Sequence, residues 1–186
     1  KRELGLYNPY RDDTAQLLFR AVLARGDLAA AERWASQALK PNPHSSAHGG
    51  GNDAVELALL AAARGRLGEA RDHLLFALRA YANAGDLPAA VPYVVPAIAL
   101  YFARLGQAER AVELYAMAEK HPWVARSVWH EDVMGRPVGE AAAALPPEAV
   151  RAAEERGRAR EWRSTVEELL AELAAEERPG AEGGAS

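Results

Sequence analysis

Apolar residues recur at three- and four-residue intervals along most of this chain, in runs that stop at a glycine and resume beyond it. Leu17, Leu18, Ala21 and Val22 form one stripe, and Ala31, Trp34, Ala35 and Ala38 form the next. This period puts each set on one face of an α-helix, whereas a half-buried strand alternates at every second residue. The break between them, Ala24-Arg25-Gly26-Asp27-Leu28, is matched by Ala63-Arg64-Gly65-Arg66-Leu67 and by Arg104-Leu105-Gly106-Gln107-Ala108. Glycine at such a break closes a helix in the left-handed conformation and lets the next helix fold back. The three glycines stand 39 and 41 residues apart, which predicts an αα-hairpin repeated over 15–39, 54–78 and 97–118. Asp12 and Asp13 before the first run, and Asn52 and Asp53 before the second, are the expected N-caps.

The pattern is interrupted in two places. Residues 41–51 hold two prolines and three glycines and predict a long loop between hairpins. Pro88, Pro92 and Pro96 lie four apart, so the third hairpin begins bent or only near the later prolines. After Pro122 the repeat stops. A short helix is expected over 123–134, a turn at Gly135-Arg136-Pro137, a helix over 147–156, and an amphipathic one over 162–176. The expected organisation is an all-α chain of helical repeats over 1–121, capping helices over 122–176 and a disordered tail over 177–186.

Hydrophobic residues make up 49% of the chain but aromatics only 7%, so alanine carries much of the apolar count and close helix packing is favoured. There is no cysteine, which excludes a disulfide framework and any thiolate site. The net charge of −4, with lysine only at 1, 40 and 120, argues against a nucleic-acid surface. The basic run Arg156-Gly157-Arg158-Ala159-Arg160 is flanked by Glu154, Glu155 and Glu161 and is expected to be a solvated helix-end face. No apolar stretch approaches a membrane span and no targeting segment is evident, so no membrane partner and a cytoplasmic setting are expected. The chain opens at Lys1 in ordinary-looking sequence and reads as a piece of a longer protein.

Candidate chemistry is sparse. His48-Gly49-Gly50-Gly51 has the composition of an esterase oxyanion loop but no Gly-x-Ser-x-Gly elbow accompanies it, and it reads as a flexible loop. His130-Glu131-Asp132 lacks the second histidine four residues on that a zinc helix needs, that place being Met134. His121 reads as a helix-end residue interacting with the helix dipole. There is no phosphate-binding loop, and carboxylates alternate with arginines as salt-bridged pairs do. No catalytic residue, metal ligand or cofactor site is assigned, and an enzyme is the least favoured class. Trp34 and Trp129 are expected in the core, while Trp123 and Trp162 are open between core and binding roles.

Counting on from each glycine, small residues stand five and twelve places later: Ala31 and Ala38, Ala70 and Ala77, Ala111 and Ala118, with Pro43 seventeen after Gly26. This resembles the tetratricopeptide repeat, in the longer form of MalT-like regulators, since the usual repeat is about 34 residues. A second resemblance rests on Leu105-Gly106-Gln107-Ala108-Glu109-Arg110-Ala111-Val112-Glu113-Leu114-Tyr115-Ala116, on 126–136 and on Leu145-Pro146-Pro147-Glu148-Ala149-Val150. These strings are similar to the C-terminal end of tetratricopeptide arrays in large bacterial STAND-type signalling ATPases and transcriptional regulators. The resemblance implies an α-α superhelix with a helical cap, acting as a non-catalytic sensor or interaction module of a cytoplasmic signalling protein. Its concave face would receive a peptide, a partner domain (including one of its own parent chain) or an effector. Carried onto this chain, that face comprises Asp13, Gln16, Arg20 and Leu23, then Asn52, Val55 and Leu59, then Tyr93 and Leu100. The alternatives are a structural scaffold for homo-oligomerisation and a small-molecule inducer domain.

Overall fold

Each glycine break ends one helix and starts another in the computed structural model, which describes residues 9–39 and 47–175. Helix α1 (Pro9–Ala24) pairs with α2 (Leu28–Ala38), and α3 (Ala47–Ala63) pairs with α4 (Leu67–Asn83). A short α5 (Leu87–Tyr93) leads into α6 (Val95–Arg104), which pairs with α7 (Ala108–Ala118). The described residues are helices and turns, with no strand among them. Positive φ occurs there only at Gly26, Gly65, Gly85 and Gly106, between 72° and 79°. At Gly26 the N–H donates to the Leu23 carbonyl at 2.9 Å and the Asp27 N–H to that of Val22 at 3.0 Å, a Schellman closure. Asp27 then caps α2 by accepting the Ala30 N–H at 3.0 Å. Gly85, which closes α4, lies outside the 39- and 41-residue spacing.

Several expectations are corrected. α1 begins at Pro9, so Asp12 and Asp13 lie inside the helix instead of capping it. α3 begins at Ala47, so Gly49–Gly51 are helical, and Asn52 and Asp53 are likewise interior. Glycine is a poor helix former, but tertiary packing decides here. Gly51 is buried where a Cβ would come within 3.0 Å of the Tyr81 ring, and the Tyr81 hydroxyl donates to Asn52 Oδ1 at 2.7 Å. The rest of the expected 41–51 loop lies outside the described residues, as does the expected 177–186 tail.

The prolines do bend the chain: α5 and α6 meet at 49° about Val94. Beyond that bend Val94–Phe102 is buried without interruption, and Ile98 and Phe102 join Leu74, Leu78, Tyr81 and Leu114 in the core. Among the described residues no single helix is long and apolar enough to cross a membrane.

The C-terminal part folds back on the hairpins. α8 (Pro122–Ala125) and α9 (Val128–His130) run into a π-helical turn, Glu131–Gly135, and directly into α10 (Arg136–Ala142). The expected turn at Gly135-Arg136-Pro137 is therefore helix, with Pro137 just after the π-helical turn. α11 (Pro147–Ala159) lies along α7, and α12 (Trp162–Ala175) packs on α4 and α5.

The arginine run at 156–160 is also more than a solvated face. Arg156 donates to Glu113 at 3.1 Å and to Glu109 at 3.3 Å, and Arg160 pairs with both Glu113 and Glu168. Arg110 joins Glu113 at 3.2 Å, Glu168 at 2.6 Å and Glu172 at 2.8 Å, so one network ties α7, α11 and α12. Burial opposes ionisation of Glu113, but hydrogen bonds from Arg156 and Arg160 outweigh it and hold its carboxyl below the ordinary range.

Candidate functional site

A cleft of about 340 Å³ opens where α1, α3 and the end of α5 meet the α8–α9 segment. α1 presents Leu17, Arg20 and Ala21, and α3 presents Asn52, Val55 and Glu56, the same one-face spacing on each helix. Tyr93 closes one wall, and Trp123, Ser127, Trp129 and His130 close the other. At the rim Leu17 is 65% exposed and Trp123 53% exposed. Tyr93 meets the Trp123 ring edge-on at 5.1 Å and stacks on Tyr81 at 6.4 Å, so a row of rings leads from core to rim.

The polar centre of this wall is an ion pair. Arg20 Nε donates to Glu56 Oε1 at 2.6 Å, and the guanidinium lies 5.3 Å from the centre of the Trp129 ring. Trp129 Nε1 in turn donates to the Arg20 carbonyl oxygen at 3.2 Å, holding α9 against α1. Glu56 is only 1% exposed, and its Oε2 has no hydrogen-bond partner. Burial pushes its carboxyl up to about 7, with Arg20 pulling it down and Asp53 adding to the rise.

His130 is placed by a proline effect. In a continuous helix the N–H of residue 96 would bond the carbonyl of residue 92, but Pro96 has no N–H. The Pro92 carbonyl is left to find another donor, and His130 Nε2 lies 3.2 Å from it. A carbonyl only accepts, so Nε2 carries the proton. Burial lowers the His130 pKa, which keeps the ring neutral and makes Nδ1 an acceptor. That Nδ1 is buried and unpartnered.

Of the nine residues expected on a concave face, Arg20, Asn52, Val55 and Tyr93 line the cleft. Gln16, one turn before Arg20, lies beside Glu56. Leu23, Leu59 and Leu100 are instead packed into the core at 7%, 1% and 3% exposure, because the neighbouring helices close over them. The side chain of Asp13 lies outside the described residues. Glu56, Trp129 and His130 were not foreseen, and Trp123, open between core and binding roles, stands at the rim. Glu56 had a local signal, a carboxylate one turn after Asn52 inside an apolar run, but Trp129 and His130 arrive by long-range folding.

Other candidates resolve simply. His121 Nδ1 accepts the Trp123 N–H at 3.3 Å and so caps the start of α8. Trp34 packs half-buried against the core, and Trp162 is half-buried with Arg163 over its ring at 5.0 Å. Among the described residues no three metal-ligating side chains converge. The cleft therefore combines an aromatic wall with buried polar groups. Comparison with known protein families, with curated proteins and with solved structures finds no match.

Proposed function

We propose that the chain is a tetratricopeptide-like interaction module of a larger cytoplasmic signalling protein, and that a partner segment anchors a side chain in the Arg20–Glu56 cleft. The carrying observation is the cleft itself: α1 and α3 contribute their faces to it, and exposed aromatic surface stands at its mouth. Tyrosine, tryptophan and arginine are the residues that most often dominate binding energy at interfaces, and Arg20, Tyr93, Trp123 and Trp129 all border this space. The groove between the hairpins is already partly filled by residues 123–130 of the same chain. What remains fits one or two side chains and excludes a whole docked helix. A small-molecule effector is the second reading, supported by a volume at the lower end of ligand pockets, about 300–1,000 Å³.

A displayed peptide library selected on the parent chain tests the reading, with a double variant, Arg20→Glu and Tyr93→Ala, as counter-target. Enriched peptides are expected to bind the folded double variant at least tenfold more weakly. Peptides that bind both proteins equally would move the working surface elsewhere. A concentration-dependent mass in sedimentation that the double variant abolishes would assign the cleft to self-association.

A further inference from the structure

Residues 125–133 run from the end of α8 through α9 into the π-helical turn, and of them only His130 is buried. The stretch is fixed at its two ends by Val124 and Met134, which sit in the core at 3% and 1% exposure. Between these anchors Val128 stands 74% exposed and Trp129 is half-buried. The polar contacts that hold the middle down are few. The Trp129 indole bonds the Arg20 carbonyl, the Arg20 guanidinium lies over that indole, and the His130 ring bonds the Pro92 carbonyl. A segment with so few inward contacts opens more readily than the helices beneath it. We propose that residues 125–130 are an acid-released flap over the first hairpin, with His130 as its catch. Lifting the flap uncovers Arg20 and the faces of α1 and α3, and the cleft then has room for more than one or two side chains. The purpose of the device rests on the interaction reading given above, but its test needs no partner, so either can fail without the other.

The catch works through its two nitrogens. Nε2 donates to the Pro92 carbonyl, so a second proton goes to Nδ1, which is buried and has no acceptor. A charge formed there loses its hydration without compensation. The ionisable groups of the surrounding elements do not supply it. α1 brings the Arg20 cation, which opposes protonation of the ring. α3 brings Glu56, mostly neutral once the pH falls below its value of about 7, and Asp53, whose charge is felt at Glu56. α5 brings Tyr93, a phenol that burial keeps protonated. α6 packs on the π-helical turn and carries its one charge, Arg104, at its far end, while α8 has none. Beyond the ring the chain continues into Glu131 and into Asp132, which pairs with Arg136 of α10. Burial lowers the His130 pKa below the ordinary 6.5, with Arg20 adding to the fall and the Pro92 bond opposing it. The closed flap therefore excludes a proton that the open flap accepts. Closure is at full strength above the open ring's 6.5 and weakens as pH falls below it, by up to about tenfold per pH unit.

The test follows hydrogen exchange of the Trp129 indole N–H and of the 126–131 amides by NMR at pH 8 and pH 5, corrected for the intrinsic pH dependence of exchange. Protection in the flap is expected to fall about tenfold or more at the lower pH, while α6 and α7 stay unchanged. His130→Gln presents an amide donor to the Pro92 carbonyl but cannot take up the proton, and Glu56 still titrates in it. Its flap is expected to be equally protected at both pH values. If that variant does not fold, the unmodified chain decides alone, because the midpoint of flap opening must then coincide with the titration of the His130 ring signals. A flap that keeps its protection at pH 5 would overturn the proposal, as would an equal loss in His130→Gln or a midpoint that follows another group. Loss spread evenly into α6 and α7 would overturn it too, since the whole fold would then be opening. The peptide selection judges the interaction reading separately.

Discussion

Single residues in this molecule are tuned by what a neighbour lacks. Pro96 has no N–H, so the Pro92 carbonyl bonds to His130, and that fixes which imidazole nitrogen stays bare. Glu56 shows the same logic through solvent, since lost hydration moves its carboxyl from an ordinary 4.5 to about 7. A carboxyl raised on folding contributes stability that is complete below pH 4.5 and lost as pH rises through 7. The loss is on the order of 3 kcal/mol for a shift of this size. Glu56→Gln cannot ionise, so its melting temperature is expected to gain on the parent's by several degrees between pH 5 and pH 8. A gap that is the same at both pH values would refute the burial account. Sequence alone showed a glutamate in an apolar run, but its burial is a product of folding, in a cleft it shares with Trp129 and His130, more than 70 residues away.

At the scale of elements, the apolar period and the glycine breaks make the hairpins legible, because helix and turn are decided within a few residues. The exceptions are places where distant packing overrules local preference. Gly51 lies within α3 because the Tyr81 ring fills the space a Cβ would take, and Arg156 and Arg160 reach across to Glu113, which is buried on α7. Gly157 marks how near these two helices lie. A Cβ there would overlap the Glu113 carbonyl oxygen and reach Ala116 Cβ at 3.0 Å. Alanine usually stabilises a helix over glycine by up to about 1 kcal/mol. Gly157→Ala is expected to do the reverse, costing on the order of 2–3 kcal/mol as α11 is pushed off α7. Gly139→Ala in α10, with nothing within 4 Å of the added carbon, is the control and is expected to stabilise slightly. Chemical denaturation of the two variants checks the contrast, and a Gly157→Ala protein as stable as the control would overturn the close approach.

The whole molecule differs from a row of hairpins that touch only their neighbours. The hydrogen bond from Trp129 to the Arg20 carbonyl joins residues 109 apart in sequence. It draws the C-terminal segment over the first hairpin, which otherwise meets the rest mainly where α2 touches α3. No local pattern announces such a contact, so the sequence reading left the first hairpin's groove open.

That single long contact also has a consequence in time. During synthesis the first hairpin is complete long before Trp129 exists, and the loop that joins them closes late and at an entropic cost. α1, tied to the C-terminal segment by this bond, is expected to open on its own before the core does. Trp129→Ala is expected to speed amide exchange of residues 14–24 by about tenfold or more while leaving α6 and α7 unchanged. Uniform acceleration in every helix would mean that the hairpin opens only with the whole. In the parent chain, a ligand gripping Trp129 and Arg20 together would slow exchange in that hairpin first, so that binding is read out as the closing of the N-terminal end.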